Sequence, residues 1–494
     1  MSTRETIAKN ASVMLVTQGI TWSLTLLLTV FMPRYLGDAA IGQFHTATSL
    51  WAIAAILMGF GMDRLMTKEI ARDTTKAASM LSASIVLRLA LSALAFGGMA
   101  LFVWLFDYPQ DTRQVVFVIG LATVVWQLIA AVEAAVQGLE QMQISAAGSI
   151  AGKVVNVGVS IALLLMGYGV LVIAAVTAAA ALVNLAVQLF LLRRRLPLRL
   201  RPQRGAALPM LKGGLPYLAS GLFLQIYMQF DIVILSLLTD ERVVGWYGAA
   251  DVLFGTLLFV PTVFINAVFP ALSRMYAQAS DSLSRVARKS FDLLLVLSLP
   301  IGLGMVAVSN QAVVLLYGQQ FANSGPVLAL FGIVLIFTYL NMLLGRYLIS
   351  MDRQNQWTAV MAVAAVATLP LDLLLIPYCD RVFGNGGLGG GVSFIITELG
   401  MTIAGLRLLP RGTLDGSNTR TALKALIAGL AMAAVAWGLR EMFIVIPVLA
   451  GVVVYGALVL ALGVLSEKDR QMLSGTVRQM LRKVRRSPAP AASD

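Results

Sequence analysis

Long runs of apolar residues, separated by short polar segments, recur along almost the whole chain. Each run contains roughly 20 residues, the length that an α-helix needs to cross a hydrocarbon core of about 30 Å. Charged residues, glycine and proline bound the runs and place the helix ends. The pattern therefore predicts an all-α membrane protein with about 14 transmembrane helices. The predicted spans are 11–33, 42–66, 79–106, 114–138, 148–167, 170–192, 213–238, 247–272, 290–316, 326–350, 357–377, 388–409, 422–439 and 443–465.

The composition agrees with a chain whose surface faces lipid. Hydrophobic residues make up 59% and charged residues 12% of the 494 residues, and the mean hydropathy is +0.84. The first run, from Ala11, lacks a small-residue cleavage signature, so we interpret it as a retained span and not as a signal peptide. Cys379 is the only cysteine, which excludes an intramolecular disulfide and a cysteine-rich metal site. We expect no cofactor apart from a coupling ion.

The basic residues indicate how the spans are oriented. The net charge is +13, but no basic module interleaved with aromatic residues accompanies it, so we expect no nucleic acid partner. Lys and Arg are concentrated in loops on one side of the predicted topology, which is typical of the cytoplasmic side. Both termini are then expected in the cytoplasm, and the protein in a bacterial inner membrane. The opposite side carries only Arg34, Arg113, Arg242, Arg381 and Arg440.

An internal repeat supports a division into two halves. The two segments that join the first and second spans of each half resemble each other at a constant offset of 203 residues. In this repeat Asp38, Ile41, Gly42, Phe44 and Ala47 match Glu241, Val244, Gly245, Tyr247 and Ala250. Repeats at the same topological location favour two six-helix lobes in a pseudo-twofold arrangement around a central cavity, with two further C-terminal helices.

The predicted domains follow from this division. They are an N-lobe over 1–192, a basic cytoplasmic linker over 193–212, a C-lobe over 213–409, spans 13 and 14 within 410–465, and a basic tail over 466–494. In the tail, apolar residues from Leu473 to Val484 share one helical face among basic residues. This pattern predicts an amphipathic helix at the membrane surface. An unstructured, solvated tail is the alternative.

Several short motifs resemble a known family. They are Arg34–Gly37, Gly42–Phe44, Gly59–Gly61, Lys68–Arg72, Gln137–Glu140, Phe269–Ser273, Leu316–Gly318 with Phe321, and Leu373–Pro377. Together they resemble the polysaccharide transporter, or oligosaccharide flippase, family of the multidrug/oligosaccharidyl-lipid/polysaccharide exporter superfamily. The resemblance covers residues 11 to about 409 and contains no catalytic group.

The resemblance implies a transporter and not an enzyme. It implies alternating access between two lobes, and a polyprenyl pyrophosphate-linked oligosaccharide as the cargo. Membrane lipid is then a partner, and a polysaccharide polymerase or assembly protein is a further expected partner. Many relatives carry a neutral Asn where this chain has Asp372, so we expect this position to affect coupling.

Ionisable residues at membrane depth are candidate functional groups, because they are costly unless they face protein or water. Arg88, Glu133 and Lys153 are predicted in the cytoplasmic half of the first lobe, with Glu133 and Lys153 roughly level. Arg88 is the main candidate for binding pyrophosphate, because its planar fork donates paired hydrogen bonds, and Lys153 is the second. In the alternative interpretation, Glu133 only neutralises Arg88 or Lys153.

Three further arginines are candidates for the mouths of the pathway. Arg64 and Arg346 lie near the inner ends of spans two and ten, where they would attract pyrophosphate. Arg34 lies near the outer mouth and would receive it. All three are equally explained as side chains that reach the interface and anchor a helix.

Acidic residues are predicted toward the opposite side. Asp231 and Asp372 map to the outer third of spans seven and eleven, and Glu398 is closer to mid-depth. Thr368 precedes Asp372 by one helical turn and shares its face. These oxygens suit Na⁺, whereas a buried carboxylate suits H⁺, and the sequence leaves both ions open. Hydrogen bonds between helices are the structural alternative.

Other classes of protein fit the sequence less well. A multidrug exporter for cationic drugs would use the same lobes but favours an apolar or acidic cavity, and the basic inner residues argue against it. A lipid II flippase also carries a pyrophosphate lipid and stays open as an alternative. A membrane glycosyltransferase or polymerase needs a sizeable loop with convergent polar residues, and the predicted loops are short. A scaffold would leave the charges within the spans unexplained.

Overall fold

The computed structural model describes residues 3–194, 207–278 and 282–464, and within these ranges it is helical without strands. The helices are α1 Thr3–Leu36, α2 Asp38–Gly59, α3 Met62–Arg72, α4 Ala77–Leu105, α5 Gln110–Gly138, α6 Met142–Leu165, α7 Val170–Arg193, α8 Ala207–Leu238, α9 Glu241–Leu257, α10 Phe259–Ala277, α11 Ser282–Tyr317, α12 Ser324–Ser350, α13 Gln354–Phe383, α14 Gly387–Leu408, α15 Gly416–Gly438 and α16 Val445–Ala461. Short 3₁₀ turns cover Thr74–Lys76 and Gln319–Phe321.

Twelve stretches among these described helices are long and apolar enough to cross a membrane. Two shorter apolar segments, Gln225–Leu238 and Val445–Ala461, coincide with the predicted spans seven and fourteen. The prediction of an all-α membrane protein with about 14 spans is therefore confirmed. The predicted tail helix and most of the predicted linker lie outside the described residues, and α8 already begins at Ala207.

The predicted span 42–66 is wrong as a single helix, because α2 ends at Gly59 and α3 begins at Met62. Phe60 and Gly61 between them both adopt positive φ, at 46° and 67°. A Cβ on Gly61 would lie 2.4 Å from the carbonyl oxygen of Gly214 in α8. The break therefore needs both the backbone freedom of glycine and its lack of a side chain.

The predicted span 247–272 is also two helices, α9 and α10, which meet at Leu258. Pro261 lacks the N–H that would donate to the carbonyl oxygen of Leu257. The hydroxyl of Tyr339 in α12 donates to that carbonyl instead, at 2.7 Å. A side chain from a neighbouring helix thus satisfies the group that the break exposes.

Two lobes of similar architecture make up most of the bundle. In the first, α5 packs against α2, α3, α4 and α7, while α1 packs on α6. In the second, α12 occupies the corresponding place and packs against α9, α10, α11 and α14. Helices α15 and α16 extend the second lobe along α11. The lobes meet where α2 contacts α8 and α9 and where α3 contacts α8.

Candidate functional site

A crevice lined by both polar and apolar side chains lies between α1, α5, α6 and α7 and reaches the interface of the two lobes. It consists of two adjoining cavities of about 260 and 230 Å³. Both are lined by Thr25, Lys153, Asn156 and Thr177. The second cavity is also lined by residues of α9 and α11, so both lobes contribute to its wall. We take this crevice as the candidate for the predicted central cavity.

Lys153 is the cation of this crevice. Its side chain is half-buried, and no carboxylate of the described residues lies within 4.0 Å of its ammonium group. The neighbouring Gly152 packs closely on α7, because a Cβ there would lie 2.8 Å from the Cβ of Asn184. An unpaired ammonium in a polar crevice is suited to an anionic ligand.

Neutral oxygens surround Lys153. Thr21 and Thr25 lie on the face of α1 that lines the crevice, and Ser149 and Thr177 line the opposite wall. The hydroxyls of Thr21 and Thr25 donate to the carbonyl oxygens one turn earlier, at 2.9 and 2.7 Å. Each hydroxyl oxygen therefore keeps acceptor capacity for a ligand.

Arg88 is completely buried and faces protein instead of the crevice. Its Nε donates to Ser84 Oγ at 3.1 Å, and Nη1 donates to the carbonyl oxygen of Gln127 at 3.1 Å. Its remaining contacts are to the side-chain oxygen of Gln127 and to the carboxylate of Asp63. Asp63 lies in the first turn of α3, directly after the break. Arg88 thus braces the junction of α2 and α3.

The predicted charge network of Arg88, Glu133 and Lys153 is not observed among the described residues. Glu133 accepts hydrogen bonds from Ser145 at 3.0 Å and from Gln188 at 3.2 Å. Lys153 lies eight residues after Ser145 on α6, about 12 Å farther along the helix, so it is not level with Glu133. The neutraliser of Arg88 is instead Asp63.

The three other basic candidates are exposed and are not brought together with Lys153. Arg64 lies on α3 opposite the buried face formed by Met62 and Met66. Arg346 lies at the end of α12 with its guanidinium 5.6 Å from the ring centroid of Phe269. Arg34 lies in the last turn of α1.

The structure brings Asp231 and Asp372 together, as their predicted depth suggested. Asp231 Oδ2 accepts from the hydroxyl of Tyr247 at 2.7 Å, while its Oδ1 has no hydrogen-bond partner among the described residues. Asp372 is completely buried, and neither of its oxygens forms a hydrogen bond of acceptable geometry within the described chain. The unpaired hydroxyl of Ser393 lies beside it.

Neutral and aromatic side chains hold this acidic pair in place. Thr368, one turn before Asp372, is buried and donates to the carbonyl oxygen of Ala364 at 3.0 Å. The ring of Tyr247 packs edge-on against Phe331, with the centroids 5.1 Å apart. Two neighbouring carboxylates with unpaired oxygens, next to two hydroxyl oxygens, form a set of ligands that suits a small cation.

Glu398 is placed differently from this pair. Its Oε1 accepts from the hydroxyl of Tyr227 at 2.9 Å, and its Oε2 accepts from Asn341 Nδ2 at 2.6 Å. Thr402 in turn donates to Asn341 Oδ1 at 3.0 Å. Glu398 therefore joins α8, α12 and α14 through hydrogen bonds, whereas Asp372 does not.

Sequence reasoning missed several partners in both lobes. Asp63 and Gln127 hold Arg88, while Tyr247 and Ser393 adjoin the acidic pair. Asp63 lies near the end of a predicted span and resembles an interfacial residue. Tyr247 belongs to the internal repeat, which was the one signal that marked its position.

Solved structures of transporters share this fold. The lipid II flippase MurJ in its inward closed conformation matches with a TM-score of 0.71 at 14% identity, over 90% of this chain and 97% of that chain. An inward-facing multidrug resistance MATE family transporter matches with a TM-score of 0.63 at 14% identity, over 83% and 94% of the chains. A MOP superfamily transporter from Pyrococcus furiosus, described as having a binding pocket of reversed polarity, matches with a TM-score of 0.53 at 15% identity, over 87% of this chain and 95% of that chain. The chain therefore has the fold of these multi-pass membrane transporters.

The family follows from the sequence. The model of the family described as polysaccharide biosynthesis protein matches residues 7–276, which is more than half of the chain. The chain belongs to this family, and the predicted resemblance is confirmed. No protein with a curated description matches the sequence.

Proposed function

We propose that the protein is a flippase that moves a polyprenyl pyrophosphate-linked oligosaccharide across the bacterial inner membrane by alternating access. The observation that carries this proposal is the crevice at the lobe interface, where an unpaired lysine is surrounded by hydroxyl and amide groups. The family description supports the same class of cargo. Lys153 binds the pyrophosphate, and Thr21, Thr25, Ser149 and Thr177 hydrogen-bond sugar hydroxyls.

The other basic residues have secondary roles in this proposal. Arg64 and Arg346 lie at helix ends on the cytoplasmic side and raise the positive potential for an incoming pyrophosphate. Arg34 lies on the opposite side, where the pyrophosphate leaves. Arg88 does not contact the cargo in this conformation and acts through Asp63 on the junction between α2 and α3.

In this proposal, transport of the cargo is coupled to the binding of a cation at the acidic pair. Asp231 and Asp372 supply the charges, and Thr368 and Ser393 supply neutral oxygens. Either Na⁺ or H⁺ relieves the repulsion between two buried carboxylates. A cation drives the cycle only if it binds one lobe arrangement more tightly than the other. Glu398 keeps the helices around the pair in register.

The proposed orientation places both termini in the cytoplasm. In a Cys379→Ala background, a cysteine at Lys76 is expected to react only with reagents that enter the cytoplasm. A cysteine at Arg242 is expected to react from outside in intact cells. The reverse labelling of either position would overturn the orientation. The partners proposed are membrane lipid, the lipid-linked cargo and a polysaccharide polymerase or assembly protein.

Lipid II transport is the second candidate function, because the fold matches MurJ with a TM-score of 0.71. Expression of the protein in cells depleted of their own lipid II flippase separates the two candidates. Rescue of growth would establish lipid II as a cargo. We expect no rescue there, and restored polymer in a strain that lacks an oligosaccharide flippase.

Substitution of Lys153 tests the cargo site. We expect Lys153→Ala to abolish complementation of the oligosaccharide flippase-null strain at normal membrane abundance, and Lys153→Arg to retain part of it. Lys212→Ala is the matched control, because Lys212 is an exposed lysine of α8. Full complementation by Lys153→Ala would place the pyrophosphate site elsewhere.

A further inference from the structure

The two copies of the internal repeat contact each other where α2 and α9 begin, and they do so reciprocally. Gln43 of the first copy donates to Glu241 Oε2 at 2.9 Å. Trp246, which matches Gln43 at the same offset, donates through Nε1 to Asp38 Oδ2 at 3.0 Å. Asp38 in turn matches Glu241. Each hydrogen bond is therefore the counterpart of the other across the pseudo-twofold axis, as in a symmetric dimer interface.

The backbone contacts repeat this reciprocity. A Cβ on Gly42 would lie 1.7 Å from the carbonyl oxygen of Glu241, and a Cβ on the matching Gly245 would lie 2.0 Å from the carbonyl oxygen of Asp38. No side chain fits at either position while the two helices touch. Glycine at these two places lets the helices cross with backbone against backbone.

This contact covers the crevice that contains Lys153. Ile41, Phe44 and His45 line the crevice directly below the contact. His45 also packs against Gly248, its own counterpart in the repeat, since a Cβ there would lie 2.4 Å from His45 Cδ2. Residues of α2 and α9 next to the contact therefore form part of the cavity wall, and separation of α2 from α9 would open the cavity from this end.

The contact between α3 and α8 is built differently from the contact between α2 and α9. Where α3 meets α8, a Cβ on Gly214 would lie 2.3 Å from the carbonyl oxygen of Phe60. Backbone and apolar groups contribute to this contact, such as Leu65 against Gly213. Reciprocal acceptor carboxylates distinguish the contact of α2 with α9.

We propose that the starts of α2 and α9 form a two-fold clasp that seals the central cavity at this end. The two halves of the clasp are equivalent: they are Asp38, Gly42 and Gln43 in α2, and Glu241, Gly245 and Trp246 in α9. These are positioning residues: they set the equilibrium between a sealed and an open arrangement and do not bind cargo. The carboxylates are the common acceptors, and Glu241 also accepts from Thr112 of α5. The proposal rests on the proposed function only in taking the cavity as the cargo path.

Access to the cavity tests the clasp without any cargo. A single cysteine replaces Val252, which lines the cavity, in a Cys379→Ala background. An impermeant thiol reagent is then added to oriented vesicles from the side where α2 and α9 begin. We expect Gly42→Ala and Gly245→Ala each to raise the labelling rate by about tenfold or more. The two effects should be similar, because each substitution prevents the close contact of α2 with α9 and so shifts the equilibrium away from the sealed state. Gly255→Ala on the same helix is the control, since a Cβ there meets nothing within 4 Å.

Milder variants keep the proposal testable if an alanine variant does not fold. Gln43→Met and Trp246→Phe each remove one donor without a backbone clash. We expect each to raise the labelling rate, and the double variant to exceed both. Unchanged labelling in the double variant, or acceleration by only one of the two glycine variants, would overturn the clasp. Because labelling needs no transport, a wild-type protein that moves no lipid-linked sugar would contradict the proposed function and leave this result intact.

Discussion

The buried ionisable residues of the two lobes differ in the partners that surround them. In the first lobe, Arg88 is completely buried and makes four hydrogen bonds, one of them to a carboxylate. In the second lobe, Asp372 is equally buried, but the polar groups beside it are Ser393 and the carboxyl group of Asp231, and no basic side chain of the described chain pairs with it. Both residues are ionisable groups within predicted spans, so the sequence presents them alike.

The difference distinguishes a charge held by hydrogen bonds from a carboxyl group that we propose to bind a cation. A satisfied charge stabilises a particular arrangement of helices, and its removal leaves its partners unpaired. A buried carboxyl group without a basic partner costs free energy when it is ionised, and we propose that it binds a cation during the cycle. Substitutions should therefore affect stability in the first lobe and coupling in the second.

Arg88→Ala is expected to have the largest effect on stability. It leaves the buried oxygens of Ser84 and Gln127 without their donor, and each buried polar group left unsatisfied costs about 1–3 kcal/mol. We expect a strong loss of membrane abundance and a lower Tm in detergent. The matched variant Asp63→Asn is expected to cost less, because Asp63 is half-exposed. If the Arg88→Ala protein is stable and has lost only transport, Arg88 belongs to the cargo site instead.

Glu398→Met is expected to have the next largest effect. The apolar side chain has a similar volume but leaves the hydroxyl of Tyr227 and the amide of Asn341 unpaired, at a cost of about 1–2 kcal/mol. Thermal unfolding of the purified protein measures this cost. Glu398→Met with wild-type Tm would show that the hydrogen bonds joining α8, α12 and α14 do not hold these helices.

Asp372→Asn is expected to affect stability in the opposite direction to Arg88→Ala. It removes a charge that the described chain does not satisfy, so we expect a Tm equal to or higher than that of the wild type. The same variant should weaken the response of transport to a cation gradient, because one of the two charges of the pair is gone. A clear loss of stability, of about 2 kcal/mol or more, would show that Asp372 is held by structure in the same way as Arg88.

Asp415→Ala is expected to have the smallest effect, and the size of this effect depends on pH. It precedes α15, and hydrogen bonds from the side chain and backbone of Ser417, together with Arg288, lower the pKa of its carboxyl. Its contribution is therefore fully present above the ordinary pKa of Asp and is lost as the pH falls through the lowered value. We expect Asp415→Ala to lower Tm slightly at pH 7, with a difference that shrinks in acid. A difference that grows in acid would contradict this sign.

The spans were predictable because apolar length is a local property of the chain. The breaks at Gly61 and Leu258 were not, since glycine and proline, the local signals at Gly61 and Pro261, also occur inside continuous helices, and the groups that accommodate the breaks, Gly214 and Tyr339, lie in distant helices. The proximity of Asp231 and Asp372 followed correctly from their common depth. The partner of Arg88 did not, because the unrecognised break at Gly61 brings Asp63 back against the lobe interior.

The dependence of transport on a cation gradient tests the central claim most directly. Purified wild-type protein and Asp372→Asn are reconstituted into vesicles with a lipid-linked oligosaccharide, and a Na⁺ or H⁺ gradient is imposed. We predict that the wild type transports faster with one of these gradients and that Asp372→Asn loses most of this acceleration. Equal wild-type transport with and without either gradient would contradict the assignment of the acidic pair as the coupling site.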